Sequence, residues 1–209
     1  MPNQPNPVCR LCRRERMKLF LKGTKCESPK CPVDRRPYPP GQHGRGRIKE
    51  SEYLIQLREK QKARRYYRIR EKQFRNYYQT AARAKGITGT KLLQLLESRL
   101  DNVLYRGGLA MSRDQARQFV NHGHIQVNGR KVDIPSYQVK PGDRVEVREK
   151  SRSVGRLVEA AAYSSQNRSI PDWLALEAGD LRISVNQEPS REAIDAPVTE
   201  QLIVELYSK

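Results

Sequence analysis

The spacing of apolar and polar residues divides the chain into a helical first half and a mixed second half. A helix is expected from Ser51, with Glu52 in its first turn and Leu54 and Leu57 marking its buried side. Phe74, Tyr77, Tyr78 and Ala81 recur at i, i+3, i+4 and i+7 and predict a second helix, closed by Gly86, whose aromatics are read as core. Thr90 is a candidate cap for a third. Its inner side would carry Leu92, Leu93, Leu96, Leu100, Val103 and Leu104, with a bend near residues 97–99.

Between residues 99 and 147 almost every turn follows from local chemistry. Ser112 is a good N-cap, Gln115 completes a capping box, and Ala116, Phe119 and Val120 form an inner face. Arg113 and Arg117, one turn apart, are expected to face solvent together. Gly123 supplies the left-handed residue that ends the helix. Ile125 and Val127 then point one way and His124 and Gln126 the other, up to the hairpin turn Asn128-Gly129. Arg130 and Lys131 fall near the tip, and Val132 and Ile134 are expected to pair back along the hairpin. Pro141-Gly142-Asp143 turns into a strand with Val145 and Val147. Further on, residues 154–162 read as helix, and 173–176 and 181–185 as paired strands around Gly179-Asp180. Thr199 is a candidate cap for a last helix to Tyr207, with strand as the alternative because of Ile203 and Val204.

Charge sharpens this picture. The 209 residues carry 41 Lys and Arg against 23 acids, a net charge of +18. Residues 1–75 hold 22 basic and 7 acidic residues, whereas from Gly155 onward there are 5 basic and 9 acidic. A polyanion should meet the N-terminal part and the central module, and the acidic tail suits a protein neighbour or plain packing. No apolar run approaches the ~20 residues needed to span a bilayer. The polar, proline-rich first eight residues do not read as a secretory signal, and the cysteine pattern from position 9 argues against a disposable transit peptide. A cytoplasmic location is expected.

Cys9 and Cys12 form one close pair and Cys26 and Cys31 a second, with thirteen residues between the pairs. Two such pairs suit a closed tetrahedral thiolate site, with zinc first and an iron–sulfur cluster as the alternative. Two disulfides or plain buried thiols are the competing readings. The flanking Arg10, Arg13, Arg14, Lys25 and Lys30 would offset the thiolate charge. Any metal would be structural, organising an arm too polar to fold on its own apolar surface.

Residues 35–47 combine three prolines, three glycines and four arginines, which forbids a regular helix and suits an extended path along RNA. Arg35, Arg36, Arg45 and Arg47 are candidate phosphate contacts, Gln42 lies among them, and Tyr38 and His43 are candidates for stacking on bases. Arg58, Lys62, Arg65 and Arg75 extend the set along the helices, and Arg113, Arg117, His122, His124, Arg130 and Lys131 form its second part. Clustered basic residues on one face are the electrostatic footprint of nucleic-acid binding, while any single arginine there reads better as a solvated surface charge.

No catalytic constellation emerges. The triplet Arg99-Leu100-Asp101 matches the one that holds the catalytic aspartate in pseudouridine synthases, but Leu100 belongs to the apolar stripe. Asp101 is expected on a partly exposed surface, ion-paired near Arg99 and Arg106. Three histidines lack partnering carboxylates, and neither G-x-x-x-x-G-K-[ST] nor G-x-G-x-x-G occurs.

Residues 99–147 resemble the small RNA-binding module named after small-subunit ribosomal protein four. The rest of the chain is similar to the bacterial ribosomal-protein-four family, through Cys9-Arg10-Leu11-Cys12, Arg36-Pro37-Tyr38-Pro39-Pro40-Gly41-Gln42-His43-Gly44, Arg58-Glu59-Lys60-Gln61-Lys62, Gln73-Phe74-Arg75-Asn76 and the closing stretch 200–208. Gly107 departs from the family, which more usually has an apolar residue there, and Gly107-Gly108 should loosen that helix end. The resemblance implies an α+β protein, a mostly helical domain with an inserted module of two helices, a β-hairpin and a small antiparallel sheet, preceded by a metal-binding arm. The expected boundaries are 1–46 for the cysteine-bearing arm, 47–96 for the first helical part, 97–188 for the module, and 189–209 for a segment returning to the helical part. It further implies a structural constituent of the small ribosomal subunit that binds 16S ribosomal RNA directly, nucleates assembly of the subunit body and influences translational accuracy. Ribosomal protein five and messenger RNA at its entry path would be neighbours. The alternatives are an accessory of an RNA-modifying enzyme and a free translational repressor.

Overall fold

A computed structural model describes residues 7–46 and 49–208. The chain divides into two compact units, one built from the residues up to Glu71 together with those from Ala196 onward, the other from Lys72–Asp195. The first unit is therefore discontinuous in sequence. The break at Glu71 differs from the expected boundary at 96/97, because the helices bearing Phe74 and Leu92 join the following module.

In the first unit, α1 (Val8–Arg14) and α2 (Pro32–Arg35) precede a long helix α3 (Glu52–Tyr66). Ser51 caps α3, its hydroxyl accepting from the Leu54 N–H at 3.3 Å. Leu54 and Leu57 are only half-buried; the covered side of α3 instead carries Gln56, Lys60, Ala63 and Tyr66. The reason lies at the other end of the chain. The last helix, α9 (Glu200–Ser208), packs against α3, with Gln56 Nε2 donating to Glu205 at 3.1 Å and Lys60 Nζ 5.8 Å from the Tyr207 ring centre. Ile203 and Val204 thus lie in helix, and Ile203 is fully buried.

Apart from its first residue, α4 (Glu71–Arg83) belongs to the second unit, followed by α5 (Thr88–Glu97), which starts two residues before Thr90. Ser98 and Arg99 form the expected bend before α6 (Leu100–Arg106). Ser112 caps α7 (Arg113–Asn121), accepting from the Gln115 N–H at 3.3 Å, while the Gln115 side-chain Oε1 accepts from the Met111 N–H at 2.7 Å. Gly123 (φ 72°), Asn128 (φ 50°) and Gly129 (φ 77°) take the left-handed conformations that a helix end and a type I′ turn require.

Strands β1 (Ile125–Val127), β2 (Arg130–Lys131), β3 (Arg144–Val147), β4 (Leu174–Glu177) and β5 (Arg182–Val185) form one antiparallel sheet in the order β2-β1-β3-β5-β4. The hairpin and the later strand pair join through β3 and β5, with Val145 opposite Ile183. Val132 adds one bond past β2, to Ile125, but Ile134 is exposed and unpaired with β1, contrary to expectation. The inner face of the sheet buries Ile125, Val127, Val145, Val147, Ile183 and Val185 against α6, α7 and α8 (Gly155–Asn167), with Trp173 in the same core.

Gly107 is not a loose corner. It is buried, and a Cβ added there would stand 2.5 Å from Ile183 Cδ1, so the missing side chain admits Ile183 from β5. Gly108 beside it turns the chain at φ 90°.

Candidate nucleic-acid interface

In the first unit the proline–arginine stretch wraps around Tyr38. Arg13 Nε donates to the carbonyls of Arg36 and Tyr38, both at 3.1 Å, and its guanidinium lies 5.1 Å from the Tyr38 ring centre. Arg45 sits 4.7 Å from the same centre and donates to the Tyr38 hydroxyl, a hydrogen bond that lowers the phenol's pKa. Tyr38 is therefore engaged by two cations. Close chain approach holds the loop: a Cβ on Gly44 would stand 1.9 Å from the Pro39 carbonyl oxygen. The segment is not wholly extended, since Gln42–Arg45 makes one 3₁₀ turn. Arg35, Arg36, Gln42, His43 and Arg45 are exposed, as an anion-binding edge requires; Arg47 lies outside the described residues.

Three of the helix basics act inward. Arg65 and Arg58 both pair with Glu15, whose side chain is almost completely covered, and Lys62 pairs with Glu59 at 2.5 Å. Burial lowers the Arg58 pKa against the pull of Glu15. Arg75, on α4 in the second unit, remains exposed.

The arginines of α7 overturn the sequence reading most clearly. Arg113 is 3% exposed; its Nε donates to Asn102 Oδ1 at 2.8 Å, and its guanidinium lies 4.5 Å from the Tyr105 ring centre. Arg117, half-buried, pairs with Asp101 at 2.5 Å. Asp101 is itself 2% exposed and receives Arg99 in a two-pronged contact, Nε to Oδ1 at 3.0 Å and Nη2 to Oδ2 at 2.7 Å. Burial would depress the Arg99 guanidinium, but Asp101 and Tyr77 outweigh it and hold its pKa above the ordinary value. The expected ion pair exists, then, but in the interior, and Arg106 is engaged elsewhere, 2.6 Å from Asp195. A carboxylate with both oxygens taken by buried guanidiniums is a structural anchor.

What the module leaves outside is the hairpin. Arg130, Lys131 and His122 are exposed, with Lys131 3.3 Å from Asp133. His124 is half-buried, its Nδ1 2.9 Å from the Ser151 hydroxyl, and burial lowers its pKa ahead of His122 and Arg148. The sequence reading passed over Arg148, Lys150 and Arg152, which alternate along the exit of β3. Arg148 donates to the Gly123 carbonyl at the end of α7, and Lys150 and Arg152 are exposed. Their density, three basic residues within positions 148–152, was the available signal.

The four cysteines are free thiols; Cys12, Cys26 and Cys31 are buried and Cys9 half-buried. Burial, reinforced by the other three thiols, pushes Cys12 up to about 11 despite a backbone hydrogen bond from Leu19. Cys26 Sγ accepts from the Lys22 N–H at 3.3 Å, but burial again raises its pKa. Among the described residues no three Cys, His, Asp or Glu side chains are already arranged to hold one ion. No helix of the described residues is long and apolar enough to cross a membrane.

Comparison with known proteins agrees with this architecture. Residues 3–97 match the ribosomal protein S4/S9 N-terminal domain and residues 98–145 the S4 domain. The chain is 64% identical over 201 residues to small ribosomal subunit protein uS4 of Acidothermus cellulolyticus, covering 96% of each. It is 60% identical over 201 residues to that of Frankia casuarinae, again covering 96% of each, and 58% identical over 209 residues to uS4A of Symbiobacterium thermophilum, covering both completely. Identity at this level along nearly the whole length places the chain in the family of small ribosomal subunit protein uS4.

Proposed function

We propose that this chain is a structural, non-catalytic constituent of the small ribosomal subunit that binds 16S ribosomal RNA directly and nucleates assembly of the subunit body. The observation that carries this is a division of labour among its arginines and lysines. Arg99, Arg113 and Arg117 brace the interior, whereas Arg35, Arg36 and Arg45 on the Tyr38 loop of the first unit and Arg130 and Lys131 on the hairpin of the second stand exposed. Rigid scaffolds with outward cations suit shape-directed binding of folded RNA through its phosphates. Arg130→Glu combined with Lys131→Glu should weaken binding to small-subunit ribosomal RNA about tenfold or more and flatten the log–log salt slope by ~1–2, with circular dichroism unchanged. An unaltered affinity and slope would remove the hairpin from the interface.

A protein neighbour is supported by a hollow of about 260 Å³ lined by Glu52, Ile55, Gln56, Leu202 and Glu205. Gln56 Oε1 is buried without a donor, and the carboxylates of Glu52 and Glu205 line the same hollow. A basic side chain from an adjoining subunit protein would satisfy all three; ribosomal protein five is the neighbour that the family resemblance suggests. Influence on decoding accuracy and proximity to entering messenger RNA rest on that resemblance too.

The four cysteines are proposed to hold a structural zinc ion, or alternatively an iron–sulfur cluster. Support comes from the burial of three thiols and from backbone N–H groups donated to Cys12 and Cys26, contacts that favour thiolate ligands once a cation offsets their charge. Elemental analysis should find about one zinc per chain, lost in Cys9→Ser with Cys12→Ser; a chain purified without zinc or iron overturns the assignment.

A further inference from the structure

The chain between β2 and β3 carries two exposed apolar side chains, Ile134 and Tyr137, which are 58% and 38% exposed. They stand at the first and last positions of one turn, closed by the Tyr137 N–H donating to the Ile134 carbonyl at 3.0 Å. Backbone bonds fasten this turn to the start of α6. The Leu100 N–H donates to the Tyr137 carbonyl at 2.9 Å and the Asp101 N–H to the Pro135 carbonyl at 3.2 Å, which satisfies two of the N–H groups that a helix start leaves open. The Val139 N–H donates to the Ser98 carbonyl at 2.9 Å just beyond. The fastening uses backbone atoms alone, and neither side chain joins the apolar core of the unit. Two exposed apolar groups are thus displayed on a fixed backbone without serving the fold.

The charge around them is positive. Residues 130–140 hold Arg130, Lys131 and Lys140 against Asp133, and Asp133 already lies 3.3 Å from Lys131. The half-buried Arg117 is bound to Asp101, the residue whose N–H holds Pro135. We infer that the Ile134–Tyr137 turn is a platform on which one unpaired base of the bound RNA stacks, its face on the Tyr137 ring and its flanking phosphates among these cations. The inference rests on the RNA-binding reading above and adds a contact of another kind, since the hairpin meets phosphates and this turn meets a base. RNA offers a flat apolar ring and a negative backbone in one ligand, the complement of an aromatic set among basic side chains. Stacking needs only a π-face, so the platform accepts any of the four bases. A tyrosine on a fixed backbone has two side-chain torsions to immobilise, which keeps the entropic cost of the contact low.

Filter binding of the full chain to small-subunit ribosomal RNA over a range of salt concentrations tests this. Tyr137→Ala should weaken binding about tenfold, the effect of one lost stacked base. Its log–log salt slope should match that of the parent, because no phosphate contact is removed, in contrast to the flattened slope of the hairpin variant. Its urea midpoint, read from the single tryptophan Trp173, should also be unchanged. Tyr137→Phe keeps the ring and should retain parent affinity, whereas Tyr137→Leu, apolar but unable to stack, should behave like the alanine variant. Unchanged affinity in Tyr137→Ala overturns the proposal, as does full rescue by leucine or a loss matched by a fall in the urea midpoint. Parent affinity for the naked RNA combined with poor incorporation into subunits would assign the turn to a protein neighbour instead. A parent chain that fails to bind the RNA ends the broader reading and the platform with it; a binding parent with indifferent Tyr137 variants ends the platform alone.

Discussion

The two units are stabilised in different ways. In the first, the long helix α3 turns Gln56 and Lys60 toward α9, and Lys60 reaches Glu71 at 2.6 Å while the Tyr207 hydroxyl donates to the same carboxylate at 3.1 Å. Burial would raise the Glu71 pKa, but Lys60 and Tyr207 hold it below the ordinary carboxylate range. In the second, a continuous apolar core spans three helices and a sheet, and the charges inside it are closed into the Arg99–Asp101–Arg117 group. The unit with the larger excess of positive charge thus has the more polar interior. Its exposed basic loop contributes little burial, so occupancy by RNA or metal should matter more to its order than to that of the second unit.

The sharpest way to break this contrast is at Asp101. Asp101→Ala leaves Arg99 and Arg117 facing one another without their shared carboxylate, and should destabilise the second unit by ~3–5 kcal/mol. Urea unfolding followed by Trp173 emission measures this, and a midpoint near that of the parent would mean that the interior guanidiniums find other partners. Charge reversal of Arg113 and Arg117, which suits an RNA-facing helix surface, would instead unfold the module, because both side chains hold acceptors on or beside α6. Phe119→Ala offers a comparison without charge, at ~3–5 kcal/mol for a buried aromatic.

A smaller effect tests the fit of sheet to helix. Gly107→Ala should cost ~1–3 kcal/mol through the clash with Ile183. Combining it with Ile183→Ala should recover part of that loss, giving a negative coupling in a double-mutant cycle. Additive penalties would show that Gly107 serves the backbone alone.

These residues also explain which parts of the structure were legible in the sequence. The α7 cap, the Gly123 helix end and the Asn128-Gly129 turn were readable because each depends on neighbours within a few positions. The covered face of α3 was not, since the groups that select Gln56 and Lys60 are Glu205 and Tyr207, far along the chain. Arg113 and Arg117 looked like an RNA-facing pair for the same reason: their periodicity says which way α7 faces, but not that Asn102, Tyr105 and Asp101 wait on α6. Gly107 read as a loose helix end because the side chain that fills its space, Ile183, lies far along the chain. At the candidate interface, the exposed edge from Arg35 to Arg45 and the hairpin basics followed from composition, whereas the inward roles of Arg58, Lys62 and Arg65 depended on acids that spacing could not assign.

The smallest expected effect concerns His124, which lies against Phe119, His122, Arg148 and Ser151. Burial, ahead of His122 and Arg148, lowers its folded-state pKa beneath the ordinary histidine value of about 6.5. The unfolded chain therefore binds a proton at His124 before the folded chain does. The corresponding stability is fully present above about pH 6.5 and declines as the pH falls through the folded value, the reverse of a histidine gaining an acidic partner. His124 is only half-buried, so solvent screening keeps the change below about 1 kcal/mol. Thermal unfolding of the second unit between pH 7.5 and 5 should show this loss in the parent and a flatter profile in His124→Gln, whose amide can still meet the Ser151 hydroxyl but takes up no proton. Matching slopes in the two proteins would assign the acid sensitivity to other groups and leave His124 as a packing residue between α7 and the sheet.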